Sequence, residues 1–299
     1  MSTGAARLKA RGVGRFYSPL FVTPAFALYV LFFLVPVVIG FWYAFTDWNM
    51  YLDRISFNGL ANFRRMFTHR VTSLAVRNTL IFSVVTTIGK NVFGLALALA
   101  LNQALRSRNV IRTIFFAPSV LSYIVIGLLF SSILHPAGLL NAGLAAVGLG
   151  GLARSWLAER TIVMYSVSAV EIWQWAGFHM AIYLAGLQSI PRELGEACRI
   201  DGAGPWQRLW RVTLPLIVPT FNVNLVLSLI GGFKVFEQIY ILTNGGPGTA
   251  SQVVSTQILE AFGNGEWGYG TAVNLVLFLF ITLIALTVLN LLRRREVEL

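Results

Sequence analysis

Six long apolar runs decide what this chain can fold into. They are roughly Leu20–Phe45, Thr79–Leu101, Ile114–Leu134, Thr161–Leu187, Leu214–Leu242 and Gly270–Leu292. About 20 residues at 1.5 Å each cross a bilayer's hydrocarbon, so every run is long enough to span. Lipid offers backbone amides no partner, which leaves helices as the plausible spanning form. The expected fold class is therefore an all-α membrane protein with six transmembrane helices. Only 12% of the residues are charged, about half the share of a soluble domain. The first run is too long for a removable signal peptide and lacks a small-residue cleavage site, so it is expected to be retained.

The net charge of +11 would suit nucleic acid, but its placement argues for membrane topology instead. Arg7, Lys9, Arg11 and Arg15 precede the first run, and Arg106, Arg108 and Arg112 separate the second from the third. Arg192, Arg199, Arg208 and Arg211 lie between the fourth and fifth, and Arg293, Arg294 and Arg295 follow the sixth. These fourteen share one side of a six-span topology; the other side carries seven, five of them in its first loop. The positive-inside rule makes the richer side cytoplasmic, with both termini on it. The expected organisation is a cytoplasmic segment over 1–19, one membrane domain over 20–292 and a cytoplasmic tail over 293–299. The single Cys198 excludes an intrachain disulfide. His69, His135 and His179 are far apart in sequence, so no metal-ligand cluster is expected.

One segment is too elaborate for a simple connection. Pro191 can open a short helix, Gly202-Ala203-Gly204 can break it, and Pro205 can open another. The expected helix–turn–helix, over about residues 189–213, stands outside the bilayer and looks built to be gripped. Here the chain resembles the permeases of ABC importers, which carry a cytoplasmic loop of pattern EAA, then DGA, then a hydrophobic stretch ending in I-x-LP. The matching positions read Glu196-Ala197-Cys198, Asp201-Gly202-Ala203 and Val212-Thr213-Leu214-Pro215, with Cys198 and Val212 as mild departures. Asn58 to Phe63 resembles the family's GLxNF stretch, and Gly138-Leu139-Leu140-Asn141 is also similar to the family. Leu242-Thr243-Asn244-Gly245-Gly246-Pro247-Gly248 resembles the LTxGGP of its sugar-importing branch. The resemblance covers about residues 20–295. It implies the first of two permease subunits of a carbohydrate importer of the maltose/multiple-sugar kind.

Several partners follow from that resemblance. The loop, through Glu196, Ala197, Asp201, Gly202, Ala203 and Gly204, is expected to dock into a cleft on an ATPase subunit. Glu196 is expected to hydrogen-bond within the loop, with a salt bridge to an ATPase arginine as its alternative role. The whole importer would hold a second permease (a heterodimer), two ATPase copies and an external solute-binding protein that delivers sugar. Gly89-Lys90 is not part of a GxxxxGK[ST] loop, so the chain has no phosphate cradle of its own. No catalytic constellation is visible, and no cofactor is expected on this chain; ATP-Mg would sit on the ATPase.

Charges inside spans are costly and are candidates for function. Lys90 lies in the second run, Glu171 in the fourth, and Lys234 and Glu237 in the fifth. Lys234 and Glu237, three apart on one helix, would share a face and could pair. Lys90 is expected to be structural or to snorkel. Glu171, Gln174, Trp175 and Phe178 recur at i, i+3, i+4 and i+7, so one helix face offers a carboxylate, an amide and two rings. That set suits a sugar: polar groups bond hydroxyls and rings stack on the apolar face of a pyranose. Gln238 and Asn224 are weaker substrate candidates. Helix packing by buried polar residues is the alternative role for the same positions. An ion-coupled carrier with Glu171, Lys234 and Glu237 as its relay remains a competing class, as does a membrane scaffold. Within the importer class, glycerol phosphates and other glycosides compete with di- and oligosaccharides.

Overall fold

A computed structural model of the chain describes residues 21–103 and 106–293. The expected N-terminal segment and the tail after residue 293 lie outside the described residues, as do the basic residues expected there. Among the described residues the regular structure is helical, apart from one isolated bridge between Thr46 and Phe57.

The first helix, α1 (Thr23–Tyr43), is long and apolar enough to cross a membrane and contains a π turn over Val30–Leu34. Pro36 follows that turn, and its missing N–H breaks the regular ladder. A short α2 (Ala61–Thr68) leads into α3 (Arg70–Leu101), which at 32 residues is the longest helix. It starts nine residues before the expected span, and Thr72 and Asn78 of its first turns face protein while Arg70, Ser73 and Arg77 are exposed. Thr72 Oγ1 lies 2.8 Å from the Tyr269 hydroxyl, and Asn78 donates to the carbonyl of Gln252 at 2.9 Å.

The expected third span is two helices. α4 (Arg108–Val120) and α5 (Tyr123–Ile133) meet at 101°. Pro118 sits in the 3-10 turn that ends α4, Leu121 is extended, and Ser122 caps α5 by accepting from the amide of Val125. After α6 (Leu139–Ala146) comes α7 (Val163–Gln188), the most buried helix, whose 26 residues are punctuated by Glu171, Gln174, His179 and Tyr183. α8 (Arg192–Ile200) and α9 (Pro205–Leu216) make the anticipated helix–turn–helix; Gly202 turns between them at φ +75°.

The expected fifth span is broken twice. α10 (Val218–Phe233) leaves α9 at 67°, between Pro215 and Pro219. It ends at Lys234, and a fresh helix, α11 (Glu237–Thr243), begins three residues on. α12 (Val254–Gly263) precedes the last helix, α13 (Trp267–Arg293). By length and composition three helices can cross a membrane, or up to five if each bent pair is one span.

α3, α7 and α10 form the centre, and glycines let them approach. A Cβ at Gly94 would lie 2.8 Å from His179 Cβ, and one at Gly232 would lie 2.7 Å from Ser83 Cα. One at Gly177 would lie 1.9 Å from the carbonyl oxygen of Phe115, pinning α7 to α4. Small residues at contacts are how helices associate where lipid is as apolar as leucine. The apolar core divides between the two ends. Phe82, Ile126, Val167 and Ile239 pack at the end away from the α8–α9 segment, and Leu101, Tyr183, Leu187 and Ile217 pack near it.

Candidate functional site

The middle of the bundle is polar. Lys90 on α3 donates to Glu171 Oε1 on α7 at 2.7 Å, and both side chains are almost wholly buried. Lys90 therefore does not snorkel: the pair neutralises it inside the bundle. The next residue, Asn91, donates to Ser228 Oγ of α10 at 2.9 Å and accepts from the Tyr183 hydroxyl of α7 at 2.6 Å. His179 Nδ1 and Asn224 Oδ1 join α7 to α10 at 2.7 Å. The three central helices thus share one hydrogen-bonded seam.

The face expected on α7 is formed, and neighbouring helices cover it. Gln174 donates to the carbonyl of Leu121 at 3.3 Å, meeting a group that the α4–α5 break sets free. The Trp175 indole donates to the Tyr123 hydroxyl at 3.2 Å, and Trp175 and Phe178 meet edge to face at 5.5 Å. Four buried side-chain atoms here lack a partner among the described residues, Glu171 Oε2, Gln174 Oε1 and both amide atoms of Gln238, as do single atoms of Asn58, Thr87, Arg112 and Gln257 elsewhere. Gln238 is 1% exposed on α11, which packs against α5 and α7.

Lys234 and Glu237 do not pair. Both are exposed, and no ion pair joins them among the described residues. The expectation assumed one continuous helix; the break at Val235–Phe236 separates the end of α10 from the start of α11. Lys234 instead lines an open cleft of about 420 Å³ with Ser255 and Asn274. Asn224, read as a weak substrate candidate, is held by His179. Asn91, Tyr183 and Ser228 were missed as members of the seam. The adjacent polar pair Lys90-Asn91 in an apolar run was the signal available.

The α8–α9 segment stands clear of the bundle. Glu196, Ala197, Asp201 and Gly202 are exposed, and Ala203 and Gly204 are half-buried. The Glu196 side chain makes no hydrogen bond or ion pair among the described residues, so the bond expected within the loop is not formed. Ile200, Trp206 and Trp210 are 86%, 70% and 56% exposed, with the two indoles edge to face. Only the loop's own turn is locally fixed, by the Gln207 side chain accepting from the Gly204 amide at 3.2 Å.

Together these features define a polytopic membrane protein with a charged, hydrogen-bonded seam inside its helical bundle. Sequence comparison gives the family. Residues 90–297 match the binding-protein-dependent transport system inner membrane component, and the chain belongs to that family. Its members are transport components rather than catalysts. The probable ABC transporter permease protein YurN of Bacillus subtilis is 38% identical over 88% of this chain and 91% of its own. The probable starch degradation products transport system permease protein AmyD of Thermoanaerobacterium thermosulfurigenes is 34% identical over 93% and 94%. Among solved structures, a bacterial ABC transporter that imports the acidic polysaccharide alginate matches at TM-score 0.81. There the identity is 28%, over 92% of this chain and 94% of that one.

Proposed function

We propose that this chain is a permease subunit of an ATP-driven importer of di- or oligosaccharides, forming half of a six-span-per-subunit pathway. The observation that carries this reading is the near full-length match to permeases of ABC transporters, one of them named for starch degradation products. The LTNGGP stretch at residues 242–247 agrees with it.

Glu171, Gln174 and Gln238 are the polar contacts we assign to sugar, with Trp175 and Phe178 as stacking surfaces and Lys234 and Glu237 at the rim. Support comes from the buried atoms that Glu171, Gln174 and Gln238 leave without partners. An unmade buried hydrogen bond costs about 1–3 kcal/mol, and hydroxyls entering between α5, α7 and α11 would supply the missing bonds. Glu196, Ala197 and residues 201–204 are the contact to a separate ATPase, which binds ATP-Mg. The free carboxylate of Glu196 and the exposed Ile200, Trp206 and Trp210 suit a surface waiting for another protein. ATP closing two ATPase copies would pull each permease at this segment and rock its spans, switching the cavity from one side to the other. A second permease completes the pathway. An external binding protein brings the sugar, and the α8–α9 side, with both termini, faces the cytoplasm.

Co-purification from the native host in mild detergent tests the assembly, and uptake into vesicles loaded with ATP tests the energy source. A second permease, an ATPase and a sugar-binding protein should be recovered together. Uptake should stop without ATP and persist when a protonophore collapses the ion gradient. A chain that purifies alone and carries sugar under a gradient would overturn the proposal.

A further inference from the structure

At the root of the α8–α9 segment, beside the ends of α3 and α7, lies a cavity of about 640 Å³. Arg108 and Arg112 reach its wall from α4, Arg192 from α8 and Arg208 from α9, joined by the amides of Asn102 and Gln188. Among the described residues no acidic residue lines it. None of the four arginines is in an ion pair among the described residues. The nearest acids in sequence, Glu193 and Glu196, are exposed on α8 and unpaired there.

Part of this has an ordinary explanation. Arg112 Nη2 donates to the carbonyl of Leu101 at 2.7 Å, capping the end of α3 where a cation is favoured. That accounts for one nitrogen of one arginine. The buried Nε of Arg112 has no partner, and the other three guanidiniums have no anion. Four like charges around one cavity repel, and only solvent and salt relieve them. A neutral sugar would not need them. Guanidinium forks match phosphate oxygens two at a time, and basic pockets between helix ends are where lipid headgroup phosphates bind.

We infer that this cavity binds a phosphate-bearing anion, either an anionic lipid headgroup or free phosphate. Because its donors come from α4 as well as from both arms of the helix–turn–helix, an occupant ties the root of that segment to the bundle. The site stands on charge and geometry alone and does not rest on the transport reading.

Full-length chain in mild detergent tests it in two arms. Native mass spectrometry follows retention of phosphatidylglycerol against phosphatidylcholine, and thermal unfolding compares inorganic phosphate with chloride at matched ionic strength. Selective retention of phosphatidylglycerol assigns the headgroup as the source. A rise in unfolding temperature with phosphate alone assigns the free ion. In either arm R112Q/R208Q should weaken binding at least tenfold. Should that variant fold poorly, R108Q/R192Q, altering two exposed side chains, should do the same. R211Q, on the same segment but outside the lining, should bind as wild type. Binding of neither probe to the wild-type chain, or equal binding to the folded arginine variants, would overturn the inference.

Discussion

Lys90 and Glu171 hold each other in a place where neither charge could stay alone. Removing one partner of a buried pair costs about 3–5 kcal/mol, while replacing both by apolar residues of similar size is often neutral. Lys90→Met should therefore lower the unfolding temperature in detergent sharply, and Lys90→Met/Glu171→Leu should recover most of the loss. That double variant also separates two roles for Glu171. If the carboxylate only holds helices together, the rescued protein transports normally; if it contacts sugar, as proposed above, the rescued protein is stable and inactive. Glu171→Ala and Gln174→Ala should likewise cut sugar uptake at normal expression, and unchanged uptake would remove both from the pathway. Sequence spacing sufficed to put Glu171, Gln174, Trp175 and Phe178 on one helix face, since that depends on a single helical repeat. It could not supply their partners: Lys90, Tyr123 and Leu121 lie 81, 52 and 53 residues away.

Among the elements, the α8–α9 segment was legible because its punctuation is local: Pro191, Gly202 and Pro205 act on their immediate neighbours. The broken spans were not. Pro118, Pro215 and Pro219 sit inside apolar runs, where membrane helices tolerate proline because neighbouring helices satisfy the freed backbone. Hydrophobicity therefore runs on unbroken through bends of 101° and 67°. The same blindness produced the false Lys234–Glu237 pair. Gly202 offers a test of the segment as a lever. Nothing lies within 4 Å of where its Cβ would be, so a substitution meets only the left-handed backbone. The local cost is about 1 kcal/mol, and Gly202→Asp should leave the bundle folded. In the assembled importer that variant should still bind the loaded external protein yet lose coupling between ATP hydrolysis and uptake; normal uptake would refute the lever.

Over the whole molecule, burial is concentrated in the middle helices and thins out in the outer ones, where Tyr269, Ala272, Val273 and Leu275 at the start of α13 are buried but its later turns are not. The most apolar stretches of α1 and α13 are 0% buried within this chain. Lipid or another subunit must cover them, and a ring on that surface contributes little to the chain's own stability. Phe82, fully buried on α3, and Phe32, 73% exposed on α1, make the comparison. Phe82→Ala should cost about 3–5 kcal/mol, and Phe32→Ala within about 0.5 kcal/mol in the isolated chain, both by unfolding in detergent. A similar large cost at Phe32 would mean that α1 packs more tightly than its exposure shows.

The seam through α3, α7 and α10 also sets a timetable. Glu171 leaves the ribosome 81 residues after Lys90, and Ser228 follows Asn91 by 137. At about 5–20 residues per second, a half-made chain waits on the order of ten seconds with a lone ammonium among lipid tails. During that wait the insertion machinery, rather than the protein's own fold, must shelter it, and a ribosome stalled between α3 and α7 would leave a product with its lysine unpaired.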